Sequence, residues 1–119
     1  MKTVRVQLID EAAEEFEKLN KVVGDEIKKD IKNSKHQQLL KSIRSKIELI
    51  RSNPQCGDPI PKNIIKKSRL PVDNLWVIDL TGYWRMLYTL KGSQIEILCF
   101  ILQIVDHDKY NKIFGYRKK

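Results

Sequence analysis

NLWVIDLTGYWRMLYTLKGSQIEILCFILQIVDHDKY, from Asn74 to Tyr110, is the stretch that decides the fold of this 119-residue chain. Its apolar residues come in runs rich in β-branched and aromatic side chains, separated by Thr81-Gly82-Tyr83 and Lys91-Gly92-Ser93. Connections of that length and composition join hairpin strands. Three consecutive antiparallel strands are therefore predicted, roughly Leu75–Leu80, Trp84–Leu90 and Gln94–Ile104. Side chains alternate between the faces of a strand. Trp76, Ile78, Leu80, Trp84, Met86, Tyr88 and Leu90 then share the more apolar face, and Val77, Asp79, Arg85, Leu87 and Thr89 take the other. A three-residue link sets Asp79 directly opposite Arg85. The second face is partly polar, and it is expected to be free for binding.

Upstream of this meander, Val4, Val6 and Leu8 alternate with Arg5 and Gln7, which predicts an N-terminal strand. Asp10 is placed to cap a helix with Glu11, Glu14 and Glu15 in its opening turns. Ala12, Phe16, Leu19, Val23, Ile27 and Ile31 form its apolar stripe. Ser34 with Gln37 has the pattern of a capping box for a second helix, with Leu39, Leu40, Ile43, Ile47 and Ile50 as its stripe and Asn53-Pro54 as its stop. Two such helices joined at Asn33-Ser34 form a hairpin. The connection from Asn53 to Asn74 is long for a structureless loop, so a short strand or turn is expected near Ile64 and Ile65. The order strand, two helices, three strands defines an α+β fold, with the helices on one sheet face. The whole chain, 1–119, is expected to be one domain.

The bulk numbers narrow the function. The longest apolar run, Ile95 to Val105, contains Glu96 and Gln103 and is too short to span a bilayer. The chain opens on an amphipathic strand, so no signal peptide is expected. Cys56 and Cys99 make no disulfide framework and read as reduced thiols of a cytoplasmic protein. The formal charge of +8 arises from 23 basic and 15 acidic residues. It is concentrated in Lys62, Lys66, Lys67 and Arg69, and again in Lys109, Lys112, Arg117, Lys118 and Lys119. Such a balance suits a polyanion or an acidic protein partner.

Three residues stand out for chemistry. Arg85, on a rigid strand, could hold a phosphate bidentately at any physiological pH, or could be the structural partner of Asp79. His107, just past the last strand in VDHDKY, could exchange a proton with a ribose hydroxyl, or could be an exposed loop histidine. Tyr110 could stack on a base or bond a phosphate, or could pack its ring at a sheet edge, and Tyr83 and Tyr116 share that ambiguity. Trp84 reads as core. Lys66, Lys67 and Arg69 could dock RNA phosphates or keep the connection solvated. The histidines and cysteines have no metal-ligand spacing, and neither a phosphate-cradling glycine loop nor a nucleophile motif occurs. No metal, nucleotide or other cofactor is expected.

In order and spacing, the N-terminal strand, the helical hairpin, Asn53-Pro54 with Gly57, NLWVIDL, GYWRMLYTL and the closing DHDKY…FGYRKK resemble the RelE/ParE toxin superfamily. The likeness is to its archaeal-type RelE members. The resemblance implies the toxin of a type II toxin–antitoxin system, acting in the cytoplasm as a metal-independent endoribonuclease on ribosome-bound mRNA. It implies Arg85, His107 and Tyr110 as catalytic residues. Lys66, Lys67, Arg69, Lys109 and Lys112 would contact RNA or ribosome, and an acidic antitoxin would be the protein partner. It also implies two alternatives: a gyrase-inhibiting, ParE-like protein without catalysis, or a non-toxic binding module.

Overall fold

The structure, a computed structural model, describes residues 2–93 and 95–116. β1 (Thr3–Leu8) leads into α1 (Asp10–Lys28) and α2 (Lys35–Ser52). Then come β2 (Asp58–Pro59), α3 (Lys62–Ser68), β3 (Trp76–Asp79), a 3-10 turn (Thr81–Tyr83), β4 (Arg85–Gly92), β5 (Glu96–Val105) and α4 (His107–Phe114). The expected onset of the last strand at Gln94 lies outside the described residues.

The architecture is α+β, and the β3-β4-β5 meander is present with Asp79 opposite Arg85. A three-stranded sheet is nevertheless too small a description. The strands form one mixed, five-stranded sheet in the order β1-β5-β4-β3-β2. β1 runs parallel to β5, with Val6 opposite Cys99, and Arg5 reaches Glu96 at 3.1 Å. β2 closes the other edge against β3. A parallel pair needs a long crossover, here the two-helix hairpin, so the partner of β1 lies some ninety residues away and leaves no local mark.

α1 and α2 cover one face. Ile43 and Ile50 of α2 are fully buried with Met86, Tyr88 and Ile101 of the sheet, and the face assigned to Trp76, Ile78 and Leu80 is the one they meet. Truncating any one of these large side chains removes about 2–5 kcal/mol. Ser34 caps α2 through its Oγ, which accepts the Gln37 N–H at 3.1 Å, and α2 stops at Asn53. Asp10 does not cap α1: it is the first helical residue, at φ 49°, and Ile9 holds the cap position without a side-chain bond. The stripe of α1 is buried only as far as Val23. Ile27, in the last turn, is exposed because the end of the helix runs past the core, and Ile31 lies beyond the helix end at Lys28 and is exposed too.

The second face is not free. Leu87 is fully buried there, beneath Ile65 of α3 and Tyr110 and Phe114 of α4. The strand or turn expected at Ile64 and Ile65 is a helix, and the loop expected at His107 is a helix as well. Both corrections have one cause. A sheet face carrying Leu87, Leu102 and Val105 must be covered, and the two short amphipathic segments supply the cover. The sequence does hold the punctuation of α4. Asp106 accepts the Lys109 N–H at 2.9 Å, and Gly115, at φ 71°, lets the Tyr116 N–H close back on the Asn111 carbonyl at 2.8 Å.

The connection after α2 is fixed by a buried tyrosine. The Gly57 N–H donates to Tyr88 Oη at 3.0 Å, and that hydroxyl donates to the Pro54 carbonyl at 2.9 Å. A Cβ at position 57 would lie 2.7 Å from Tyr88 Oη and 2.8 Å from the Val77 carbonyl oxygen, so only glycine fits. Cys56, half-buried, and Cys99, buried, are free thiols, and burial pushes Cys99 up to about 12.

Candidate functional site

β4 is the middle strand at one end of the sheet, and it opens on Arg85. The last residue of β3, Asp79, and the last of β5, Val105, flank it in register. This register sets the guanidinium at the rim of the sheet, where a rigid backbone carries it and solvent reaches it. Arg85 Nε lies 3.4 Å from Asp79 Oδ1, with the two side chains 31% and 82% exposed. The guanidinium carbon stands 4.4 Å from the centroid of the Tyr110 ring. Tyr110 comes from α4, which leaves β5 directly through the Asp106 cap. Behind it, Phe114 packs at 4.7 Å and Tyr116 stacks at 6.4 Å between centroids.

Magnitudes decide which contact holds the arginine. A cation over a partly desolvated ring is worth about 1–2 kcal/mol. An ion pair with one carboxylate in water is worth about 0–1 kcal/mol. The ring is therefore the stronger of the two contacts, and Asp79 is the partner another anion can replace. Burial pushes the Tyr110 hydroxyl above its ordinary range, with the Arg85 charge pulling the other way. The phenol stays protonated at neutral pH and can donate a hydrogen bond, but it does not serve as a base.

His107 is the first residue of α4 and is exposed. Its Nε2 lies 3.3 Å from Asn111 Nδ2. A spacing of three residues makes His107 and Tyr110 neighbours on the helix surface. The structure thus brings Arg85 and Tyr110 into direct contact and leaves His107 one turn away. His36 lies elsewhere, bound to Glu26 at 3.3 Å between α1 and α2.

The first basic segment lies beside α4. α3 packs on α4 through Ile65 and Phe114, so exposed Lys66 and Lys67 of α3 and Arg69, its left-handed cap at φ 59°, flank the helix that carries Tyr110. Lys112 is exposed on α4, whereas Lys109 reaches back to Glu11 of α1 at 3.5 Å. Arg117, Lys118 and Lys119 lie outside the described residues. Among the described residues no group of three histidine, cysteine or acidic side chains could hold a metal ion, and no helix is long and apolar enough to cross a membrane.

Tyr83 carries more than its sequence context conveys. It is 84% exposed, beside a groove of about 440 Å³ whose walls include Asp79, Trp84 and Arg85. Trp84 itself packs on the core under α1 and α2, and Tyr116 is exposed beyond Tyr110. The only sequence signal for Tyr83 is its place after glycine in a three-residue link.

No protein-family model matches this chain, and no curated protein does. A solved structure shares its architecture: a YoeB/ParE toxin from Agrobacterium tumefaciens, 17% identical, with a TM-score of 0.55 over 90% of this chain and 99% of that one. At that identity the likeness is one of fold.

Proposed function

We propose, starting from a fold of the RelE/ParE toxin type, that this protein is the toxin of a type II toxin–antitoxin pair and a metal-independent endoribonuclease acting on ribosome-bound mRNA in the cytoplasm. The observation that carries this reading is the Arg85 guanidinium, fixed 4.4 Å over the Tyr110 ring on a rigid strand end, with an exposed carboxylate that phosphate can replace. A donor that need not reorganise is what transition-state charge requires. In the reaction, the ribose 2′-oxygen attacks the adjacent phosphorus and gives its proton to His107 or a nearby basic group. The bond from phosphorus to the 5′-oxygen breaks, and that oxygen takes up a proton. The products are a 2′,3′-cyclic phosphate and a 5′-hydroxyl. Arg85 neutralises charge on the non-bridging oxygens, while Tyr110 holds Arg85 in plane and orients the RNA.

Lys66, Lys67, Arg69, Lys109 and Lys112 draw the phosphate backbone to this end of the molecule. The same +8 charge favours an acidic antitoxin, which would silence the site by covering it and neutralising its field. Primer extension on an mRNA translated in vitro tests the reading. Cuts within A-site codons are expected from the wild type and about a hundred- to a thousandfold less from Arg85→Ala. Inhibition of gyrase supercoiling without any RNA cleavage would overturn it.

A further inference from the structure

The 3-10 turn between β3 and β4 is built in a way that the phosphate site alone does not explain. Gly82 and Tyr83 are successive left-handed residues, at φ 66° and 64°. Glycine accepts that conformation freely, but a tyrosine resists it. The strained residue is also the most exposed of the large apolar side chains, at 84%. Among the described residues its ring makes no stacking, hydrogen-bond or ion-pair contact. A bulky ring held in an unfavourable backbone state, with no ring contact among the described residues, points to a partner outside.

The turn is also clamped from below. The Leu80 N–H donates to the Trp84 carbonyl at 2.8 Å, and the Trp84 N–H returns to Thr81 at 3.3 Å. The Thr81 N–H donates to Ser42 Oγ of α2 at 3.1 Å. Leu80 is buried and Trp84 packs on the same core, so both flanks of the turn are anchored. The ring is therefore projected from a rigid mount, and little ordering is left to be done on binding.

Its neighbour fixes the ligand class. Tyr83 and Arg85 line one groove of about 440 Å³. Their Cα atoms, two residues apart, are separated by at most ~7 Å, and with both side chains on one groove a base at the ring and a phosphate at the guanidinium can belong to neighbouring positions of one strand. We propose that Tyr83 is a stacking platform for a single-stranded RNA base next to the phosphate that Arg85 binds. This rests on the ribonuclease reading above and adds a positioning residue to it. Stacking on an exposed ring is indifferent to base identity, so this contact would position the strand without selecting its sequence.

The test is cleavage of mRNA on programmed ribosomes, with kcat/KM measured for Tyr83→Asn, Tyr83→Trp and Arg85→Ala. Each protein is assayed on intact mRNA and on mRNA made abasic at the nucleotide beside the cut. Asparagine tolerates the left-handed region, so Tyr83→Asn is expected to keep or raise the thermal midpoint. It should nevertheless lower kcat/KM about five- to a hundredfold, the worth of one stacked base. Tyr83→Trp should retain activity. The abasic substrate should slow the wild type by a similar factor and slow Tyr83→Asn no further, since the two changes remove one contact. If Tyr83→Asn cleaves like the wild type while Arg85→Ala does not, the inference falls, the ribonuclease reading stands, and the ring belongs to a protein contact. Multiplying effects of variant and abasic site would overturn it equally. If the wild type does not cleave, both readings fall together.

Discussion

Asp79→Asn separates the two roles open to Arg85. The carboxylate lies 3.4 Å from the guanidinium, but it is 82% exposed. In a medium near ε 80 the attraction is about 1 kcal/mol, and holding two side chains in one geometry costs nearly as much. Removing the charge should therefore change stability by at most about 1 kcal/mol, a shift of a few degrees in Tm. The arginine stays in plane because Tyr110, not Asp79, holds it. The functional effect should be opposite in sign. A carboxylate about 5 Å from a bound phosphate repels it by about 0.8 kcal/mol in water, so its removal should tighten RNA association three- to fourfold at low salt. At about 0.5 M salt the gain should shrink to less than twofold, since the Debye length then falls below that separation. Calorimetry and cleavage kinetics at two salt concentrations read both quantities. A loss of more than about 2 kcal/mol, or a loss of cleavage, would refute the reasoning and return Arg85 to a structural ion pair.

Other substitutions check the parts that support the site. Gly57→Ala should cost about 2–4 kcal/mol by displacing Tyr88 Oη from both of its hydrogen bonds and pressing on the Val77 carbonyl, as urea unfolding would show. Tyr110→Phe keeps the ring under Arg85 and should retain most cleavage. Tyr110→Leu should lose at least tenfold, which is the value of a cation–π contact of about 1.4 kcal/mol. Equal activities for the two variants would show that the ring does not orient the arginine. Glu26 ties the helical hairpin together by accepting from Ser34 Oγ at 2.6 Å, and that bond holds its carboxyl below the ordinary 4.5. A lowered folded pKa gives stability that is present above the unfolded value and lost as pH falls through the folded one. Glu26→Gln should therefore melt below the wild type at pH 7, and the two melting curves should converge in acid.

Leu39, Leu40, Ile43, Ile47 and Ile50 all became buried because their helical period is local and strong. Ser34 caps because its bond spans only three residues. Asp79 faces Arg85 because a three-residue link fixes register. α4 failed for a different reason. Its Asp106 cap and Gly115 stop are in the sequence, but a segment of eight residues is too short to announce a helix without a face to cover.

Local patterns along the chain specify an α+β fold, a helical hairpin on a meander, a basic chain and an arginine at a strand end. Each of these follows from contacts between residues close along the chain. Only the packing of the whole chain shows that β1 joins β5 in parallel and that α3 and α4 close the second face against each other. It alone set Tyr110 beneath Arg85 and left Tyr83 bare beside it. The physical reason is common to all of them. Which distant surfaces meet depends on the total apolar area to be buried, and that is a property of the folded whole rather than of any window of sequence.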